Sequence, residues 1–144
     1  HKSGAYFLLQ RHPMDFPSLH FKILDYLDHN TITPCAHAPA LFERCDAHHA
    51  LITHSTRIWA KAVLDHIGLA QWFGPDRVFG YECYDFHSKA ESTKPFETAL
   101  SAINKDPSRS MMVEDTVINL AIPKKMGMTT VFLHQGSPLT ELPD

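Results

Sequence analysis

The sequence predicts an α/β protein, a parallel sheet with helices on its faces. Three observations predict it. From about residue 49, short apolar runs alternate with amphipathic helical patterns, the rhythm of strand–helix–strand units. Gly68 and Gly127 stand where two of the helices should stop. Met111-Met112-Val113 is an apolar strand that runs into two carboxylates, Glu114 and Asp115, with a helix directly after them. A strand of this composition is expected to be covered on both faces. Ligands of open α/β sheets bind beyond the carboxyl ends of the strands. Paired acids there suit a hard cation such as Mg²⁺. The competing account is local: Asp115 or Thr116 caps the helix, and Glu114 favours its positive end.

The elements follow in order. Residues 4–28 read as helical, with an apolar cluster at Tyr6, Phe7, Leu8 and Leu9. Pro13 breaks that helix. Phe16-Pro17-Ser18 restarts it, and Leu19, Phe21, Ile23, Leu24 and Leu27 then form an apolar face. Asn30–Pro39 is a turn-rich connector, and Ala40–Cys45 is a short helix. Ala50–Thr53 is the first strand of the alternating region, and His54-Ser55-Thr56 is a turn with capping hydroxyls. Arg57–Ile67 is an amphipathic helix, with Ile58, Ala62, Leu64 and Ile67 as its inward candidates. Trp59 and Trp72 pack around this first unit. Arg77–Gly80 is the second strand, and Tyr81–Thr93 is a long polar loop. Pro95 opens a helix whose stripe is Phe96, Ala99, Leu100 and Ile103. Asp106-Pro107-Ser108 is a turn, and Ser110–Val113 is the third strand. Val117–Met126 is a helix that Pro123 should kink or shorten, and Thr129–Leu133 is the fourth strand.

The 144 residues suffice for one domain with a real core, and 44% hydrophobic with 20% charged residues is ordinary for a globular chain. A net charge of −3 offers no basic surface, so neither nucleic acid nor a membrane is an expected partner. Eleven histidines make the charge sensitive to pH between about 5 and 8. Cys35, Cys45 and Cys83 are odd in number and lack metal spacing, so free thiols in a reducing cytoplasm are expected. No apolar run approaches the roughly 20 residues of a membrane helix.

Three features fall at comparable places: Thr53 at the end of one strand, Lys94 before the Pro95 helix, and Glu114-Asp115 at the end of another. A hydroxyl beside helix-opening amides can hold a phosphate oxygen. An ammonium can neutralise a phosphoryl group, and an acid pair can hold Mg²⁺. Together they describe a phosphoryl-transfer site without a nucleophile.

At these residues the sequence resembles a known family. Leu51-Ile52-Thr53-His54, Lys94-Pro95-Phe96 and Val113-Glu114-Asp115-Thr116 resemble the second, third and fourth motifs of haloacid dehalogenase-like hydrolases. The nearer likeness is to the pyrimidine 5′-nucleotidase-like branch. Asn119-Leu120 and Lys125–Val131 are similar to that branch's final strand–helix–strand, and Gly4–Tyr26 to its helical cap. The likeness extends from about Gly4 to Pro138.

The resemblance implies a Rossmann-like three-layer parallel sheet, with a partial helical cap over residues 1–38 and the α/β core over residues 39–144. It implies hydrolysis of phosphate monoesters of a small metabolite, a nucleotide 5′-monophosphate among them, with Mg²⁺. Asp115 would ligate the metal and Glu114 would support it. Thr53 would bind the phosphate oxygen together with the His54 amide. Lys94 would orient the nucleophile and balance the phosphoryl charge, and Asn119 would tie the site loops together. His54 stands where the branch carries Asn.

The family attacks phosphorus with an Asp of a D-x-D-x-T motif after the first strand, and no such motif occurs in these 144 residues. The expectation is a chain truncated at its N-terminus, missing the central first strand, inactive alone and weak in Mg²⁺. A homo-oligomer would then cover the exposed sheet edges. The alternative is a non-catalytic relative that binds a phosphorylated ligand or a partner protein. A dehalogenase would need the same missing Asp and no metal, and the acid pair argues against it.

Overall fold

A computed structural model describes residues 31–134, together with Asp15, Ser18 and Leu19. Most of the expected cap, including the Tyr6–Leu9 cluster, lies outside the described residues. Within it, Asp15 accepts from the Ser18 N–H and hydroxyl, each at 2.8 Å, and Ser18 and Leu19 are helical. Asp15 thus caps the helical residues Ser18 and Leu19, and the rest of the helix expected after the Phe16-Pro17-Ser18 restart lies outside the described residues. The polypeptide forms two compact units, His1–Phe86 and His87–Asp144.

The first unit contains helix α1 (Ala38–Glu43), strand β1 (Leu51–Ile52), α2 (Arg57–His66), α3 (Ala70–Phe73), β2 (Val78–Phe79) and a 3₁₀ turn at Tyr81–Tyr84. β1 and β2 run parallel, with Leu51 opposite Val78 and Ile52 opposite Phe79. The ladder extends to Thr53, whose N–H donates to the Phe79 carbonyl at 3.0 Å. Ala60, Leu64, Leu69, Phe73 and Val78 make the core, with Phe42 and Trp72 packed against it.

Two expectations change here. Ile58 is 50% exposed, whereas Ala60 and Leu64 face inward. At 3.6 residues per turn, Ile58 lies roughly 200° around the helix from Ala60. The short α3 was not predicted. Gly68, at φ 73°, turns the chain so that Leu69 and Phe73, four residues apart, fold back onto α2.

The second unit contains α4 (Lys94–Ile103), a 3₁₀ turn at Pro107–Arg109, β3 (Met111–Glu114), a 3₁₀ turn at Val117–Leu120, α5 (Ala121–Lys125) and β4 (Thr129–Phe132). β3 and β4 are parallel, from Met111 opposite Thr129 to Glu114 opposite Phe132. α4 buries Phe96, Ala99 and Leu100 of the predicted stripe together with Pro95, while Ile103 is half-buried, and it ends at Asn104 in the left-handed region at φ 51°. The helix expected over Val117–Met126 is divided as Pro123 requires. Pro123 has no N–H to bond backward, so it is tolerated in the first turn of α5 and not deeper.

β3 is covered on one face, not both. Met111 and Val113 are 59% and 47% exposed, while Met112 and Glu114 alternate to the inner side. The four strands form two separate two-stranded parallel sheets. Among the described residues no pairing joins them, so the expected single sheet is not continuous here.

Candidate active site

In the first unit, the chain leaves β1 through Thr53-His54-Ser55-Thr56 and enters α2. The Thr53 hydroxyl oxygen accepts from the Ser55 N–H at 3.1 Å, which leaves its hydrogen available to donate. The His54 ring lies against Tyr81, centroids 5.0 Å apart. Thr56 caps α2, its hydroxyl oxygen accepting from the Trp59 N–H at 3.3 Å.

The stretch expected to be a polar loop is a built part of this end of the sheet. Tyr84 is fully buried and donates its phenol hydrogen to the Thr53 carbonyl. Glu82 accepts from the Arg57 N–H at 2.8 Å, so a carboxylate already sits at the positive end of α2. Gly80 makes that approach possible, because a Cβ there would meet the Arg57 nitrogen at 2.1 Å.

In the second unit, Glu114 and Asp115 fall where β3 gives way to the next turn, as the sequence predicts. Glu114 is 8% exposed. One carboxylate oxygen accepts from the Asp115 and Thr116 N–H groups, both at 3.2 Å. The other is paired with the ammonium of Lys89, a residue 7% exposed. Asp115 is exposed, and the Thr116 hydroxyl donates to it at 3.4 Å. A hydrogen bond with the Glu114 side chain, then local donors and the Lys89 ammonium, hold the Asp115 carboxyl below its ordinary value of 3.8. Lys94 is exposed at the start of α4, its N–H donating to the Ser92 hydroxyl oxygen at 3.2 Å. Asn119 is buried and its N–H donates to the Thr116 carbonyl at 3.0 Å.

The predicted site residues are thus divided. Thr53 and His54 belong to the first unit; Lys94, Glu114, Asp115 and Asn119 belong to the second. Glu114 and Asp115 come together in one turn. Sequence reasoning missed Lys89, Glu82 and Tyr84.

The fit of Mg²⁺ can be tested on this geometry. The ion takes near-octahedral oxygen ligands. Glu114 already receives three donors, one of them cationic. Among the described residues no group of three or more His, Cys, Asp or Glu side chains gathers around a point. Asp115 is one exposed carboxylate. The residues described do not fit a Mg²⁺ site as they stand.

Parallel strand–helix units with acids at a strand's carboxyl end define an α/β protein whose chemistry belongs at that end. Residues 17–127 match the model of the haloacid dehalogenase-like hydrolase family. The chain belongs to that family. A search of the curated proteins found no match. Among the described residues no helix is long and apolar enough to cross a membrane.

Proposed function

We propose that the chain is the core of a phosphate monoester hydrolase of the pyrimidine 5′-nucleotidase-like branch, acting on a small phosphorylated metabolite such as a nucleoside 5′-monophosphate. The observation that carries this reading is the Glu114-Asp115-Thr116 turn at the end of β3, inside the family match. Thr53 donates its hydroxyl hydrogen to a phosphate oxygen, beside the His54 amide. Lys94 balances the phosphoryl charge and orients the nucleophile. Asp115 is the acid open to solvent, and Asn119 steadies the turn that carries it.

The family's nucleophile is an Asp of D-x-D-x-T, which these 144 residues do not contain. As given, the chain should therefore not turn over substrate. The Mg²⁺ dependence expected of the family belongs to a site with more oxygen ligands than the described residues supply.

The test is phosphate release from aryl phosphate and from a panel of nucleoside monophosphates, with halide release from haloacids in parallel. The chain extended at its N-terminus by a D-x-D-x-T segment should release phosphate and no halide, and the unextended chain should match background. A folded extended chain that hydrolyses no phosphate ester defeats this reading and favours a non-catalytic phosphate-binding protein.

A further inference from the structure

Lys89 has no role in the reading above, yet its charged side chain is buried beside the acid turn. It sits in a tight turn pinned by Ser88, whose hydroxyl oxygen accepts from the Ala90 N–H at 3.2 Å and whose carbonyl accepts from the Ser92 N–H at 3.0 Å. That turn directs the ammonium onto the Glu114 carboxylate, with side chains 9% and 7% exposed. Little water is left around either charge. The second Glu114 oxygen is held by two backbone N–H groups. Among the described residues, these three donors meet the Glu114 carboxylate.

We propose that the Lys89 ammonium is the resident cation of Glu114, occupying the place a divalent ion would need and keeping this carboxylate closed to metal. The proposal rests on reading Glu114 and Asp115 as the acids of the family's metal side. It explains why an acid pair at the right place in the chain does not form a metal site by itself. A divalent ion approaching Glu114 meets a buried positive charge that does not leave without exposing an unpaired carboxylate. The consequence is definite: removing the ammonium while keeping the carboxylate should open the site, and keeping the charge in another form should not.

The test is Mn²⁺ binding to the 144-residue chain, followed by calorimetry and by paramagnetic broadening of amide resonances. Wild type should take up no Mn²⁺ at Glu114 below millimolar concentration. Lys89→Gln should bind at least tenfold more tightly. Lys89→Arg should stay as weak as wild type, and Lys89→Gln with Glu114→Gln should lose the gain. Unchanged or weaker binding in a folded Lys89→Gln chain overturns the proposal. If that variant loses its native circular dichroism, the wild-type chain decides. Broadening of the Glu114 amide by micromolar Mn²⁺, with the Lys89 ammonium resonance unshifted, overturns the proposal; no broadening up to millimolar Mn²⁺ supports it. The readout is metal occupancy, so its failure leaves the hydrolase reading standing, and absence of turnover leaves this proposal standing.

Discussion

Glu114 is the only residue of β3 whose side chain is buried, and its partner comes from 25 positions away. A buried carboxylate is stable when its oxygens are satisfied, and Lys89 with two N–H groups satisfies them. Removing one partner of such a pair leaves the other charged and dry, at a cost of about 3–5 kcal/mol. Lys89→Met and Glu114→Gln should each lower the unfolding free energy by about that much in urea titrations. The double variant should lose less than the sum by at least about 1 kcal/mol, because neither charge is then stranded. Strictly additive losses would mean the two side chains do not depend on each other.

The acids were legible because an apolar strand followed by two carboxylates is hard to explain as core. Lys89 was not legible. Between Ser88 and Ala90 it looks like any solvated lysine, and its burial depends on a contact that local sequence does not encode.

The end of β1 shows at the scale of elements how the polar stretch after β2 shapes the helix entrance. Gly80 brings the chain against the first turn of α2, Glu82 caps the Arg57 N–H, and Tyr84 holds the Thr53 carbonyl. Gly80→Ala should cost about 1–3 kcal/mol or more, since the added Cβ meets the Arg57 and Thr56 backbone, which cannot swing away as the Glu82 side chain beside it can. Thr56→Ala should cost about 1 kcal/mol through loss of the α2 cap. Thermal unfolding checks both, and a Gly80→Ala protein as stable as wild type would contradict this packing.

Element type was legible wherever period and breakers agreed. The Phe96, Ala99 and Leu100 stripe, the Pro123 interruption and the parallel pairing followed from local rules. What failed needed tertiary information. Ile58 looked inward until the neighbours of Ala60 and Leu64 fixed the face, and Tyr81–Tyr84 looked like loop because its four residues carry no period.

On the scale of the whole molecule, the second unit exposes Met111, Val113, Ile118 and Leu133, large apolar side chains on a short sheet and its turn. Met111 and Val113 share one face of β3, as alternation requires. Exposed apolar clusters of this kind mark association surfaces. The chain should self-associate in light scattering at micromolar concentration, and Met111→Lys with Val113→Lys should shift it towards monomer. A monodisperse monomer in wild type would remove the homo-oligomer from the expected partners.

The proposed activity of the chain is hydrolysis of a phosphate ester. The most direct measurement is phosphate release from an aryl phosphate by the chain extended with a D-x-D-x-T segment, compared with its Lys94→Ala and Asp115→Asn variants. The account predicts turnover in the extended chain and a loss of about 10²–10³ in kcat for Lys94→Ala, which removes charge stabilisation at the reacting group. Asp115→Asn should lose activity that excess Mg²⁺ partly restores. Full activity in both variants, or a folded extended chain that releases no phosphate, would contradict it.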